Sequence, residues 1–200
     1  MGEPKYRIRA AHDDTTVTVH QAYAPHLGLP AARDGRFPPG WKRDRMTWIK
    51  PSFLWMMYRC GWGERQHQET VLAVDLAREG FEWALRHACL SHFEADVHTD
   101  RAAWREALKA APTRVQWDPE RDLHLRPLAH RSLQLGLSGE AVRRYADAWI
   151  TGIRDVTPLA HEVHALVRAG KLDEAARRLP YEPPYPAPDG LLDHLLPVAR

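Results

Sequence analysis

The sequence predicts an α+β fold in which strands and helices mix up to about residue 137 and a helical appendage follows. Short alternating or β-branched runs separated by turn signals indicate strands in the first two thirds of the chain. Helical spacing with capping and stop signals continues from Ser138. With 200 residues, 44% of them apolar, we expect a single domain at residues 1–180, with its helical part at 138–180. A proline-rich, irregular tail is expected at 181–200.

The individual elements follow from local patterns. Strands are predicted at residues 6–10, 15–23, 45–50, 70–76, 114–117 and 131–137. Helices are predicted at residues 52–59, 78–89, 101–110, 138–153, 157–170 and 172–179, with one turn near 191–196. The first two strands are expected to pair as a hairpin around Asp13–Asp14. Residues 25–40 hold four prolines and three glycines and are predicted to form a loop with at most one helical turn, and residues 118–122 a turn.

Composition narrows the class of protein. No apolar run approaches the roughly 20 residues of a membrane helix, and the N-terminus lacks the apolar core of a signal peptide. Two isolated cysteines predict free thiols in a reducing compartment, so a cytoplasmic protein without a membrane partner is expected. The histidines and cysteine at 87, 89, 92 and 98 lack a Cys-x-x-Cys pair and point to different helix faces, so no metal site is predicted.

Four of the eight tryptophans are spaced seven residues apart, at 41, 48, 55 and 62. Residues 36–65 carry seven basic and two acidic side chains, a net charge of +5 in a chain whose total is +2. Pro51 and the glycines at 40, 61 and 63 interrupt any continuous helix, so the spacing does not indicate a coiled-coil seam. Pro51 instead fits the first turn of a helix that ends at Gly61.

The strand-to-helix junction before that helix is the candidate site. Phosphate-binding glycine motifs are absent, so a nucleotide would have to be held by cations and ring stacking. A phosphate at Lys50 and Ser52, near the free N–H groups of the helix, with a base or nicotinamide ring on Trp48, is one interpretation. In the other, Trp48 belongs to the core with its apolar neighbours, Ser52 is only a helix cap and Lys50 is solvated. The sequence leaves both open.

Several segments of the chain resemble domain-of-unknown-function family 4291. They are residues 45–59 (RMTWIKPSFLWMMYR), 21–23 (QAY), 78–85 (REGFEWAL), 116–121 (QWDPER) and 134–139 (QLGLSG). The resemblance extends over nearly the whole chain up to about residue 180 and implies kinship without an activity.

A looser pattern is similar to the ADP-ribosyltransferase superfamily: an early strand with arginine, a hydroxyl-bearing middle segment and a later strand. This resemblance implies that Arg7 or Arg9 holds the phosphates of NAD and that Thr47 or Ser52 lies near the nicotinamide ribose. Gln134 falls where the superfamily usually has a glutamate. The candidate catalytic residues are thus Thr47, Ser52 and Gln134, and the candidate cofactor-binding residues are Arg7, Arg9, Tyr23, Trp48 and Lys50.

Three functions are compatible with these patterns. The first is an NAD-dependent enzyme, similar to ADP-ribosyltransferases, that modifies a nucleic acid or a protein. The second is a non-catalytic protein that binds RNA or DNA through residues 41–59, with an affinity that falls steeply with salt. The third is an interaction scaffold that works through the helical C-terminal part.

Overall fold

A computed structural model describes residues 4–197 and shows a mixed α+β fold. The strands are β1 (Thr16–Tyr23), β2 (Thr47–Ile49), β3 (Thr70–Ala77), β4 (Ala88–Leu90), β5 (Thr113–Arg121), β6 (Pro127–Leu137) and β7 (Ile150–Asp155). The helices are α1 (Pro25–Asp34), α2 (Phe53–Cys60), α3 (Arg78–Arg86), α4 (Arg101–Ala110), α5 (Glu140–Arg144), α6 (Thr157–Arg168) and α7 (Leu172–Arg178). A π-helical segment (Tyr145–Trp149) follows α5, and a 3-10 turn (Asp193–Leu195) lies near the C-terminus.

The strands form two sheets that meet at one backbone bridge. β3 is the centre of the antiparallel sheet β1-β3-β7, as its continuous apolar run predicts. The second sheet has the order β2-β6-β5-β4, with only β4 and β5 parallel. Between the sheets, His20 of β1 and Lys50 exchange backbone hydrogen bonds of 2.6 and 3.2 Å. β1 and β2 therefore diverge from this bridge toward Tyr23 and Thr47.

The junction between β2 and α2 matches its prediction except at Pro51. Ser52 caps α2 by accepting a hydrogen bond from the Trp55 amide at 3.1 Å. Gly61 ends the helix in the left-handed conformation, at a φ of 59°, which glycine adopts without steric cost. The predicted end of the helix at Gly61 is confirmed, and Ser52 is the cap that one of the two interpretations expected. Pro51, predicted in the first turn, lies before this cap and outside the helix.

The predicted hairpin of residues 6–10 with residues 15–23 forms only beside its turn. Asp13 Oδ1 accepts hydrogen bonds from the amides of Thr15 and Thr16. His12 makes an antiparallel bridge with Val17, so the local turn signal holds. Residues 6–10 do not pair with β1, and Arg9 bridges Pro184 in the C-terminal tail instead. The long partner of β1 is β3, from Thr16 opposite Ala77 to Tyr23 opposite Thr70.

Residues 25–40 also differ from the prediction, because α1 occupies ten of them. Pro25 stands in the first turn, where its missing N–H costs nothing, and Gly35 ends the helix with a φ of 65°. Gly28 allows α1 to pack closely on β3: a Cβ there would lie 2.5 Å from the Thr70 Cβ. Tertiary packing thus favours a helix in a segment rich in helix breakers.

Two further elements end at residues other than those predicted. β5 continues through the turn predicted at residues 118–122, and the reversal lies after it, where Asp122 accepts backbone hydrogen bonds from His124 and Arg126. The helix predicted to run to residue 153 ends at Trp149, and β7 then joins the free edge of β3. The C-terminal part is therefore not purely helical. The irregular tail packs onto the main core through buried Tyr185, Leu191 and Leu195.

Candidate functional site

A cavity of about 300 Å³ opens where β1 and β2 separate. It is lined by side chains of β1, the β2 region, α2 and the loop before β3: Gln21, Ala22, Tyr23, Arg45, Met46, Thr47, Trp48, Lys50, Met56, Arg59, His67 and Gln68. This volume is at the lower end of the range for small-molecule sites. The cavity is therefore large enough to hold part of a nucleotide.

The charges on the cavity wall have one sign. Arg45, Lys50 and Arg59 line it, and none of the described lining residues is acidic. Lys50 is only 8% exposed, and its Nζ donates a hydrogen bond of 3.0 Å to the Trp48 carbonyl. Burial, together with a smaller effect of the Arg59 charge, lowers the pKa of Lys50 to about 7. An anion in the cavity would favour the charged form of Lys50 and so oppose the effects of burial and of the Arg59 charge on its pKa.

Trp48 is placed at the cavity by its strand partner. It stands opposite Gly136 of β6, and a Cβ on Gly136 would come within 3.0 Å of the indole ring. The glycine thus gives the indole room to lie across β6. Trp48 remains half-buried and lines the cavity. It offers an aromatic surface beside a cation, a combination that suits a heterocyclic anion.

The floor of the cavity is a buried hydrogen-bond network. Gln21 Nε2 donates to Thr47 Oγ1 at 3.2 Å and to the Trp48 carbonyl at 3.1 Å. The Tyr145 hydroxyl donates to Gln21 Oε1 at 2.6 Å. Tyr23 Oη lies 3.4 Å from Thr47 Oγ1. The network joins β1, β2 and the π-helical segment, so it fixes the strands that frame the cavity.

The rim of the cavity is formed by the loop before β3. Arg59 Nη1 donates a hydrogen bond to Gln68 Oε1 at 3.3 Å, which connects the end of α2 to this loop. His67 has a φ of 65°, a left-handed conformation that is uncommon outside glycine. Its amide donates to Glu69 Oε1 at 3.0 Å, and this bond helps to hold the strained turn over the cavity.

The structure brings together four of the eight candidate site residues, Tyr23, Thr47, Trp48 and Lys50, around the cavity. Lys50 is buried and not solvated, so one part of the core interpretation is wrong.

The other four candidates lie outside the cavity wall. Ser52 is buried at the start of α2, and its hydroxyl donates to Glu120 at 2.8 Å. The Gln134 amide donates to Asp118. Arg9 pairs with the C-terminal tail through its backbone, and Arg7 is half-buried in the segment before β1.

Gln21, Arg45, Arg59 and Tyr145 are site residues that the sequence interpretation missed. Gln21 alternates with Val17, Val19 and Tyr23 on one face of β1, and a polar residue on such a face is a signal of a buried polar role. The other three depend on tertiary contacts. Tyr145 reaches Gln21 across 124 residues of sequence.

A second charged cluster lies beside the cavity, at the first turn of α2. Glu120 accepts the Ser52 hydroxyl, and Glu182 from the tail accepts the Phe53 amide at 2.8 Å. Burial raises the pKa of Glu182 to about 8, and the nearby Glu120 charge adds to this effect. Both carboxyl groups are held by donors of the protein itself.

The other three spaced tryptophans are packed into the protein. Trp41 stacks on Phe37 with ring centres 4.4 Å apart, and Trp62 stacks on His164 at 5.2 Å. Trp55 is 5% exposed. The seven-residue spacing therefore does not form a shared aromatic face, and only Trp48 borders the cavity.

The fold and site define an α+β protein with a cation-lined cavity between two sheets. The chain belongs to the family described as Domain of unknown function (DUF4291), whose model matches residues 7–185. The predicted kinship is confirmed. A search of curated proteins gave no significant match, and the comparisons give no support for a resemblance to ADP-ribosyltransferases.

No helix within residues 4–197 is both long and apolar enough to cross a bilayer. Over the same residues, no group of three or more His, Cys, Asp or Glu side chains is arranged to hold a metal ion.

Proposed function

We propose that the cavity binds a nucleotide, with its phosphates at Lys50, Arg45 and Arg59 and its base or nicotinamide ring beside Trp48. The observation that carries this proposal is the buried Lys50 amine in a wall that has three cations and no described acidic residue. A buried cation is costly unless it is paired, and a phosphate group in the cavity supplies the missing charge.

NAD is the ligand we propose, and ADP-ribosyl transfer is the reaction. In that reaction the bond between the ribose and nicotinamide breaks, and a nucleophile of a nucleic acid or protein acceptor bonds to the ribose. Thr47 lines the cavity and supplies a hydroxyl for the ribose or an adjacent phosphate. Gln134 would first have to release Asp118 to approach the ribose. The binding part of the proposal therefore has more support than the transfer part.

Calorimetric titration of NAD, ADP and adenosine into the protein tests the binding. Lys50→Met should weaken NAD and ADP binding roughly 30-fold, because hydrogen bonds to charged groups contribute about 1.5–3 kcal/mol. Lys42→Met is the matched control, since Lys42 is exposed and outside the cavity wall. The affinity of Lys42→Met for NAD and ADP should stay within about threefold of that of the wild type. Absence of NAD and ADP binding by the wild type would end the proposal.

Transfer is tested separately with NAD labelled in the adenosine part. Incubation with RNA, DNA or a protein mixture should release nicotinamide and label the acceptor. Gln134→Ala and Arg9→Ala should reduce turnover if the superfamily roles apply. Binding without turnover would leave a nucleotide-binding protein and refute the transferase.

Nucleic-acid binding is the second candidate function. Lys42 and Arg45 are exposed in the basic segment 41–59, and Arg45 also lines the cavity, although Arg43 between them is paired with Asp147 at 2.8 Å. Under this alternative, affinity for single-stranded RNA or DNA falls steeply with salt. The affinity for NAD in the cavity should depend much less on the salt concentration. Titrations at two salt concentrations therefore distinguish the two functions.

A further inference from the structure

The hydrogen bonds on the cavity floor have a defined direction. The Trp48 carbonyl oxygen can only accept, so the Gln21 group that faces it at 3.1 Å must be the amide nitrogen. The Gln21 oxygen then accepts from the Tyr145 hydroxyl at 2.6 Å. The same Gln21 nitrogen lies 3.2 Å from Thr47 Oγ1. Thr47 Oγ1 therefore accepts a hydrogen bond from Gln21 and does not donate one to it.

A second donor enters the network from the other end. The indole nitrogen of Trp41 can only donate, and it lies 3.0 Å from Tyr23 Oη. Tyr23 thus accepts from Trp41, and its own proton is available to Thr47 Oγ1 at 3.4 Å. Either hydroxyl can be the donor in that contact; with Tyr23 as the donor, Thr47 Oγ1 accepts from both neighbours and uses both of its lone pairs.

The count of protons leaves one without an acceptor. Tyr23 and Thr47 carry one hydroxyl proton each and share a single hydrogen bond. Among the described residues, Thr47 Oγ1 has no hydrogen-bond partner other than Gln21 and Tyr23. Tyr23 and Thr47 both line the cavity, so a ligand there is within reach of the remaining proton, which is that of Thr47 where Tyr23 is the donor of their shared bond. Buried donors normally find a partner, and here a ligand is the available one.

We infer that Thr47 is a one-way donor that selects ligands with an anionic oxygen at this point of the cavity, and that Gln21 and Tyr145 position it. The inference rests on the proposed nucleotide binding and assigns the Thr47 contact to a phosphate oxygen. Lys50 lines the same cavity and provides the charge that a phosphate requires. A ligand that places a donor or an apolar group against Thr47 leaves the hydroxyl proton unpaired and loses affinity.

The test compares ADP with adenosine in calorimetric titrations of Thr47→Val and Thr47→Ser. Valine has the shape of threonine but no hydroxyl, so ADP affinity should fall roughly tenfold or more. Serine keeps the hydroxyl and should stay within about threefold of the wild type. Adenosine lacks the phosphate, so its affinity should be equal for all three proteins. Thermal unfolding checks that Thr47→Val is folded. We expect that it is, because Gln21 keeps its hydrogen bond to the Trp48 carbonyl.

Two further variants test the direction of the network. Tyr23→Phe removes the Tyr23 proton but not that of Thr47, so ADP affinity should stay within about threefold. Gln21→Met removes the donor that orients Thr47, and it should weaken ADP binding about threefold to tenfold while adenosine binding stays unchanged.

The outcomes separate this inference from the function on which it rests. Loss of ADP affinity in Tyr23→Phe but not in Thr47→Val would assign the proton to Tyr23 and overturn the role of Thr47. ADP binding that is equal in the wild type and Thr47→Val overturns the role of Thr47 and leaves nucleotide binding intact. Absence of ADP binding by the wild type overturns both.

Discussion

Two regions on either side of the β2–α2 junction bury ionisable groups, and they differ in how the protein satisfies them. At the first turn of α2, Glu120 and Glu182 accept hydrogen bonds from the Ser52 hydroxyl and the Phe53 amide. In the cavity, Lys50 donates one hydrogen bond to a carbonyl and faces open space lined by other cations.

This difference separates a structural cluster from a binding site. Burial shifts the pKa in both regions, down to about 7 for Lys50 and up to about 8 for Glu182. A perturbed pKa alone therefore does not identify the site. The acidic cluster holds the tail against α2 with donors from the protein. Lys50 lacks a partner of opposite charge among the residues that line the cavity, and this incomplete satisfaction indicates a ligand.

A large effect is expected in the acidic cluster, on stability. Ser52→Ala removes the cap of α2 and one donor to Glu120. The free energy of unfolding should fall by about 2–3 kcal/mol, the sum of a lost cap and a partly unsatisfied buried carboxylate. Urea unfolding measures the change.

Ser138→Ala is the control for this variant, because its hydroxyl makes a single hydrogen bond of 3.0 Å to the Pro112 carbonyl. It should cost about 1 kcal/mol. If Ser52→Ala costs no more than Ser138→Ala but abolishes nucleotide binding, the two regions have been assigned the wrong roles.

The sequence predicted the junction but not the cavity around it. Pro51, Ser52 and Gly61 are local signals for the start and end of a helix, and they act without tertiary context. Thr47, Trp48 and Lys50 could be grouped because they are neighbours along the chain.

The remaining cavity residues depend on long-range pairing. Gln21 reaches the site because β1 pairs with β3 and because the neighbouring His20 bridges Lys50 beside β2. Tyr145 reaches it because a π-helical segment ends where β7 joins β3. Neither strand pairing nor a π-helical segment has a strong local signal, since both are decided by packing against partners far along the sequence.

A smaller effect is expected on the pH dependence of nucleotide binding. The charged and titratable groups that act on Lys50 are Arg59 and Cys60 from α2 and Asp118 from β5. Without ligand, Lys50 loses its proton as the pH rises through about 7. A bound phosphate favours the protonated amine, so binding takes up a proton above this pH.

The affinity for ADP should therefore fall about tenfold between pH 7 and pH 8.5 and change little between pH 6 and pH 7. Calorimetry in buffers of different ionisation enthalpy measures the proton uptake directly. Lys50→Met should remove both the pH dependence above 7 and the proton uptake. An unchanged pH profile in this variant would show that another group titrates.

A separate effect concerns the pH dependence of stability, and it arises from Glu182. The pKa of this carboxyl is about 8 in the folded protein, above the ordinary value of 4.5. The folded state thus binds more protons than the unfolded state between these values, and the free energy of unfolding falls as the pH rises through this window. Glu182→Gln keeps the oxygen that accepts from the Phe53 amide and cannot ionise. At pH 8.5 it should be more stable than the wild type by up to about 4–5 kcal/mol, which is what a pKa raised from 4.5 to about 8 corresponds to, and at pH 4.5 the two should be nearly equal.

Glu162→Gln is the matched control for Glu182→Gln, because Glu162 is exposed and paired with Arg178 at 2.9 Å. Its effect on urea unfolding should be below about 0.5 kcal/mol at either pH. A difference between Glu182→Gln and the wild type that does not change with pH would show that the carboxyl is ionised in the folded protein throughout. The acidic cluster would then bury a true charge, as the cavity does, and the contrast between a satisfied structural cluster and an unsatisfied binding site would no longer hold.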